Sequence, residues 1–141
     1  MMLRKILVFV ITAVFLSACA GTSKPATDIT VEMTDFSYNP SSITIPAGQP
    51  VTLTLKNTGF VEHDFVIKEI NVGMTAIESN GSEGHAHGTG AEYDLHVSTM
   101  PGDTSVLQFN VLEPGTYEFF CSVEGHKEAG MIGELIVLAQ E

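Results

Sequence analysis

The chain has 141 residues, which is enough for one ordinary domain and too few for two. Its formal net charge of −11 argues against nucleic acid or anionic lipid as a partner. Its 44% hydrophobic content supports a real core, and its 13 Gly and 6 Pro residues punctuate the chain at intervals that suit short strands.

The first 18 residues have the pattern of an export signal. Arg4 and Lys5 give a positive start, and the apolar run Ile6 to Leu16 is far shorter than the roughly 20 residues of a membrane-spanning helix. The sequence Leu16-Ser17-Ala18-Cys19 closely resembles the lipobox of bacterial lipoproteins, in which the Cys is lipidated and becomes the mature N-terminus. We therefore predict a lipoprotein-type signal peptide over residues 1–18 and lipidation of Cys19. The alternative is an ordinary secretory signal with Cys19 incidental.

Residues 19–28 are predicted to be the lipidated N-terminus and a flexible tether, because they are small and polar and include a Pro. We expect an exported protein anchored to a membrane by its N-terminal lipid, on a periplasmic or extracellular face. Lipidation would leave Cys121 as the sole thiol, so no intramolecular disulfide could form. An unpaired Cys in an oxidising compartment is a liability unless it is buried or metal-bound.

Residues 29–141 have the alternating pattern of short strands separated by turn residues. The strand-like runs are Ile29–Met33, Ile43–Ile45, Val51–Leu55, His63–Ile70, Tyr93–Ser98, Ser105–Val111, Thr116–Cys121 and Ile132–Leu138. About eight strands with a turn signal roughly every ten residues are typical of an all-β sandwich. The segment Gly73–Glu92 interrupts this pattern and is predicted to be a long loop, in which Met74 to Glu78 could form a short helical turn.

Three metal-binding side chains stand at even five-residue intervals in one Gly-containing segment: Cys121, His126 and Met131. Soft sulfur together with imidazole selects copper among the common metals, and one Cys, two His and a weak Met make an electron-transfer copper site. Taken singly, a buried Cys or a Met is more often part of the core. Their conjunction at this spacing points to a metal site that still needs a second imidazole.

His63 is the best candidate for that second imidazole. It opens a strand directly after a turn and has apolar neighbours. His85 and His87 lie in a Gly-rich stretch without rigid support, where we expect a solvated loop with at most adventitious metal binding. His96 alternates with polar residues and is predicted to lie on a solvent face. The predicted ligands of a single copper ion are His63, Cys121, His126 and Met131.

These residues resemble those of the cupredoxins, the plastocyanin/azurin family of blue copper proteins. Asn57 to Phe65 resembles the segment that presents the first His ligand, and Pro114 to Cys121 resembles the strand that delivers the thiolate. Four residues between Cys and His and four between His and Met are similar to the ligand loop of the auracyanins. The resemblance implies a Greek-key β-sandwich over residues 29–141 and a type 1 copper site. Three ligands would form a trigonal plane, with Met131 as a long axial contact and His126 as the electron port.

Two features depart from the family pattern. Asp64 follows the first His, where many members have an Asn that ties the two ligand segments together. A carboxylate can accept but not donate a hydrogen bond, so either a protonated carboxyl or a different network is needed. The long segment Gly73–Glu92 could cover one end of the sandwich or dock a partner, and the sequence leaves both open.

We therefore expect an electron carrier rather than an enzyme, working as a monomer between exported or membrane-bound redox proteins. The acidic composition suggests that its donor and acceptor have a basic docking face, and Phe60, Val61, Met100 and Ala129 are candidates for an apolar docking surface. One candidate Cys and few His argue against a multicopper oxidase. Two alternatives stay open: a copper storage or delivery module, favoured by His85-Ala86-His87, and an adhesion sandwich that has lost its metal.

Overall fold

The computed structural model describes residues 24–79 and 93–140. The predicted signal peptide (1–18), the lipidation site Cys19, and the loop histidines His85 and His87 lie outside the described residues. Within the described residues, no helix is long and apolar enough to cross a membrane.

The described residues form ten strands. These are β1 Asp28–Thr34, β2 Ser37–Asn39, β3 Ser42–Pro46, β4 Val51–Asn57, β5 His63–Ile67, β6 Val72–Ser79, β7 Leu95–Thr99, β8 Thr104–Val111, β9 Gly115–Phe120 and β10 Ile132–Leu138. The prediction of an all-β sandwich is confirmed, with two more strands than the expected eight.

The strands form two five-stranded sheets, in the orders β2-β1-β4-β8-β6 and β3-β10-β9-β5-β7. The pairs β1/β4 and β3/β10 are parallel, and the other neighbours are antiparallel. The chain crosses repeatedly between the sheets, so the alternating apolar residues of each strand meet in one core between them. In β4, for example, Val51, Leu53 and Leu55 are buried, whereas the two Thr between them are half-buried.

Strand β6 corrects the prediction for the start of the Gly73–Glu92 segment. Val72 to Ser79 is extended and pairs with β8 from Val111 back to Ser105, with a bulge between Val72 and Met74. The expected helical turn at Met74–Glu78 is therefore wrong. Strand β8 offers a full edge of backbone donors and acceptors, and this ladder outweighs the weak local preference of the segment.

An aromatic cluster of Tyr38, Phe65 and Phe119 packs beneath one end of the sandwich. The rings of Phe65 and Phe119 are stacked with centroids 4.6 Å apart, and Tyr38 meets Phe119 edge-on at 5.0 Å. The Tyr38 hydroxyl donates a hydrogen bond to the carbonyl of Asp64. Because Phe65 follows His63 by two residues and Phe119 precedes Cys121 by two, this packing positions both predicted ligands.

Candidate metal centre

The structure brings three of the four predicted ligands into one buried cluster. His63 is the first residue of β5, Cys121 directly follows β9, and His126 lies in the turn between β9 and β10. One ligand atom from each residue lies within 4.8 Å of the others. The Nδ1 atom of His126 is 3.2 Å from Nδ1 of His63 and 3.4 Å from Sγ of Cys121. The three donors therefore converge on one point.

The segment from Cys121 to Met131 is a compact turn held by its own backbone. The amide of His126 donates to the carbonyl of Val123 at 3.0 Å, and the amide of Met131 donates to the carbonyl of His126 at 3.0 Å. The amide of Cys121 donates in turn to the carbonyl of Met131 at 3.2 Å. Met131 is fully buried and joined by hydrogen bonds to two members of the cluster. That its sulfur is the axial ligand stays a prediction.

The Cys121 sulfur is buried and accepts a hydrogen bond from the backbone amide of Asp64 at 3.3 Å. Burial raises the pKa of the Cys121 thiol, so the protonated form is favoured while no cation is near. Binding of a metal ion must therefore release this proton, after which the amide of Asp64 stabilises the thiolate.

His63 is oriented by Asp35, a residue that the sequence did not single out. Asp35 lies in the turn between β1 and β2, and its Oδ1 is 3.3 Å from Nε2 of His63, the nitrogen that faces away from the cluster. Burial lowers the pKa of His63 despite the opposing effect of the carboxylate. His63 is therefore neutral near pH 7, as a metal ligand must be.

The carboxylate of Asp64 cannot donate a hydrogen bond as an Asn would, and a different network connects the two segments. The hydroxyl of Ser122 donates a hydrogen bond to Oδ2 of Asp64, which ties the segment of the first His to the segment of the Cys. Nε2 of His96 lies 3.4 Å from the same oxygen. Burial opposes ionisation of Asp64, but the contacts with His96, Ser122 and Ser98 outweigh it and lower the pKa of the carboxyl. A protonated carboxyl is not needed.

His96 lies on the outer face of β7, as the alternation predicted, but that face is only partly open to solvent there. Its side chain is 22% exposed and sits on the outer face of the sheet, opposite Val66 of β5, a residue with no exposed surface. The ring of Tyr93 lies edge-on to both His96 and Phe120, with centroids 6.0 and 5.9 Å away. The outer face of β5 is thus covered rather than solvated.

Replacing His96 with Gln is expected to flatten the dependence of stability on pH. The contact with Asp64 raises the pKa of His96 against the effect of burial, and Glu62 adds to the rise. A raised pKa stabilises the fold below the unfolded value of about 6.5, and that stabilisation is lost as the pH rises through the folded value. The free energy of unfolding of the wild type should exceed that of His96→Gln by about 1 kcal/mol at pH 6. The difference should be smaller at pH 8.5. Urea unfolding of the metal-free protein measures this, and a gap that widens with pH would contradict it.

Several apolar side chains are exposed on the segments that neighbour the cluster residues along the chain. The predicted docking residues Phe60, Val61, Met100 and Ala129 are all exposed, Phe60 by 89%. Phe36 joins them: its ring is half-exposed and meets the ring of His126 edge-on, with centroids 5.1 Å apart. Phe36 adopts a φ of 67°, which is uncommon for an aromatic residue. The sequence carried no signal for this placement.

The donor set fits copper. Two imidazole nitrogens and one cysteine sulfur, buried and convergent, are the three donors that a type 1 copper site would use. A structural zinc site would require four strong ligands, and a catalytic one would keep an open, solvated position. The predicted fourth ligand, Met131, is buried, and the sulfur of a Met is a weak, soft ligand.

Three comparisons place the chain among known proteins. A family model described as the cupredoxin-like domain matches residues 6–137, a span that includes the whole cluster. The chain is 30% identical over 122 residues to the copper-resistant cuproprotein CopI of Rubrivivax gelatinosus, covering 82% of this chain and 68% of that protein. It is 32% identical over 102 residues to plastocyanin A/B of Petroselinum crispum, covering 71% and 86%. Among solved structures, the reduced auracyanin of Roseiflexus castenholzii has the same fold, with a TM-score of 0.64 at 22% identity over 82% of this chain and 99% of that one.

Proposed function

Because the chain belongs to the cupredoxin family, a family of copper proteins, we propose that it is a type 1 copper protein that carries single electrons between exported redox partners. The observation that carries this proposal is the convergence of His63, Cys121 and His126 in one buried cluster. Met131, the buried residue that closes the turn, is proposed as the axial ligand.

The residues around the cluster suit electron transfer because they are held fixed. Copper, when bound, supplies a one-electron couple between Cu(I) and Cu(II). His63 and Cys121 are held by two neighbouring strands, and the amide of Asp64 donates to the sulfur of Cys121. Such packing leaves the ligands little room to move when the charge changes. His126 is 7% exposed and its ring meets that of Phe36 edge-on, so the outer edge of His126 is the proposed electron port.

We further propose a carrier rather than an enzyme. Four protein ligands would fill the coordination positions, and none is left for a substrate. The alternative of a sandwich that has lost its metal is disfavoured, since the cluster retains its three converging donors.

Copper titration of the purified domain tests the proposal. Adding Cu(II) is expected to produce one intense visible thiolate-to-copper band that saturates at one equivalent. The band should bleach with ascorbate and return on reoxidation. Copper uptake without such a band would contradict the proposal.

A second candidate function is copper resistance through storage or delivery, and the similarity to CopI favours it. The two functions differ in what the protein passes on: a storage or delivery module releases copper ions, whereas a carrier transfers only electrons. A storage or delivery module should give up Cu(I) within minutes to a competing chelator, whereas a carrier should retain its copper while exchanging electrons rapidly. Stopped-flow measurement of both rates on one preparation separates them.

We propose that the protein is exported, lipidated at Cys19, and works as a monomer with a partner that has a basic docking face. Downstream of Cys19 the chain has four basic residues against 17 acidic ones. Attraction between opposite charges weakens as salt screens it. Electron-transfer rates with the physiological partner should therefore fall as ionic strength rises, and rates independent of salt would argue against a basic partner.

A further inference from the structure

One carboxylate oxygen links the turn between β1 and β2 to the first imidazole of the cluster. Oδ1 of Asp35 accepts a hydrogen bond from the backbone amide of Phe60 at 3.0 Å and lies 3.3 Å from Nε2 of His63. The His63 side chain has no exposed surface, whereas that of Asp35 is 36% exposed. The carboxylate therefore reaches from the surface to the outer edge of a buried ring.

The space for this contact is created by Gly59. A Cβ atom at Gly59 would lie 2.6 Å from Oδ1 of Asp35 and 2.7 Å from Nε2 of His63, so any side chain would push the two apart. The Gly59 amide donates to Oδ1 of Asn57 at 2.9 Å, and Nδ2 of Asn57 donates to the carbonyls of Val61 and Thr99. Asn57 thus holds the turn before His63 through three hydrogen bonds, in addition to the one that Asp35 accepts from the amide of Phe60.

The two imidazoles of the cluster have different surroundings. Both direct Nδ1 inward, but the ring of His63 has the Asp35 carboxylate at its outer nitrogen, whereas the ring of His126 has the aromatic edge of Phe36 beside it. A carboxylate at Nε2 keeps the proton on that nitrogen and leaves the lone pair of Nδ1 free for a metal. It also makes the ring more basic and adds negative charge outside the site.

We propose that Asp35 is the positioning residue of the His63 ligand: it fixes the Nε2–H tautomer and lowers the reduction potential of the site. The second part rests on the proposed function. A negative charge near the site stabilises Cu(II) more than Cu(I), and a more basic imidazole acts in the same direction.

Two variants and one matched control test the proposal. Asp35→Asn keeps an acceptor oxygen but removes the charge, and Asp35→Ala removes both. The control is Glu32→Gln, which removes an exposed carboxylate of β1 that accepts from the hydroxyl of Thr58, beside the same turn. Comparable unfolding midpoints of the three variants would show that the turn is intact.

The tautomer of His63 in the metal-free protein tests its positioning by Asp35, and measurements with copper test the effect on the reduction potential. In the metal-free protein, nitrogen NMR of His63 should show the Nε2–H tautomer in the wild type and in Glu32→Gln, and a mixture of tautomers in Asp35→Ala. In the copper-loaded protein, both Asp35 variants should have a higher reduction potential than the control, and Asp35→Ala should bind copper roughly 10–100-fold more weakly. An unchanged tautomer and an unchanged potential in Asp35→Ala would overturn the proposal. Because the tautomer is measured without copper, failure of the proposed function would leave that result standing.

Discussion

Replacing Cys121 with Ser is expected to abolish the visible band of the copper-loaded protein while leaving the fold in place. The band requires a thiolate bound to copper, and a hydroxyl oxygen is a hard, weak ligand for that ion. Copper affinity should fall by more than the roughly 10–100-fold typical of losing a residue that only supports a ligand. The substitution is nearly isosteric, and the amide of Asp64 can donate to the new hydroxyl as it does to the sulfur. Absorbance titration with Cu(II) measures the loss, and far-ultraviolet circular dichroism checks the fold.

The control for this experiment is His96→Gln, which removes an imidazole that lies outside the cluster. It should keep the band at one equivalent of copper, because His96 reaches the cluster only through Asp64. A band that survives in Cys121→Ser would show that the thiolate is not a ligand. A band lost equally in His96→Gln would point to a general loss of packing instead.

The clustering of His63, Cys121 and His126 could be predicted because two of the three residues lie close together in the sequence. Cys121 and His126 share one turn. A metal that prefers sulfur and nitrogen ligands then limits which residue types can complete the site. His63 was found because it opens a strand after a turn, which is a local pattern. The structure then brought the two segments together through β5 and β9.

The residues that support the ligands could not be predicted in this way. Asp35 and Phe36 occupy a turn, where no periodicity indicates which side chain faces the site, and their partners are 28 and 90 positions away along the chain. Ser122 gave no signal either, since a hydroxyl beside a Cys is common. Such contacts depend on how the two sheets pack, which is information that no local pattern contains.

The error at β6 and the unexpected cover over His96 have the same origin. Strand β6 contains Gly, Thr and Ala and lacks clean alternation, so only its partner β8 makes it a strand. For His96 the alternation correctly separated the two faces of β7. It could not reveal that His96 is partly covered there, because the contact of His96 with Asp64 of β5 joins residues 32 positions apart.

Gly133→Ala is expected to cause the largest loss of stability of any single methyl addition in the strands of this sandwich. Gly133 is paired with Phe119 across the β9–β10 ladder, and an added Cβ would overlap the Phe119 ring and lie 2.5 Å from the carbonyl oxygen of Ser41. That oxygen cannot retreat easily, because it accepts a hydrogen bond from the amide of Glu134 at 2.8 Å. Overpacking against both a ring and a fixed backbone atom should cost about 3 kcal/mol, measured by urea unfolding of the metal-free protein.

The matched control is Gly115→Ala at the start of β9, where an added Cβ would meet only the Tyr117 side chain at 3.4 Å. This change should alter the unfolding free energy by less than about 1 kcal/mol, since Ala also restricts the unfolded chain.

In Gly133→Ala the damage should extend to the metal centre, because Phe119 stacks on Phe65 and the two rings set the positions of Cys121 and His63. We therefore expect the visible band to shift or weaken in that variant alone. If both variants unfold at the same urea concentration, the close contact at Gly133 does not constrain the fold, and the aromatic cluster cannot be what positions the two ligand strands.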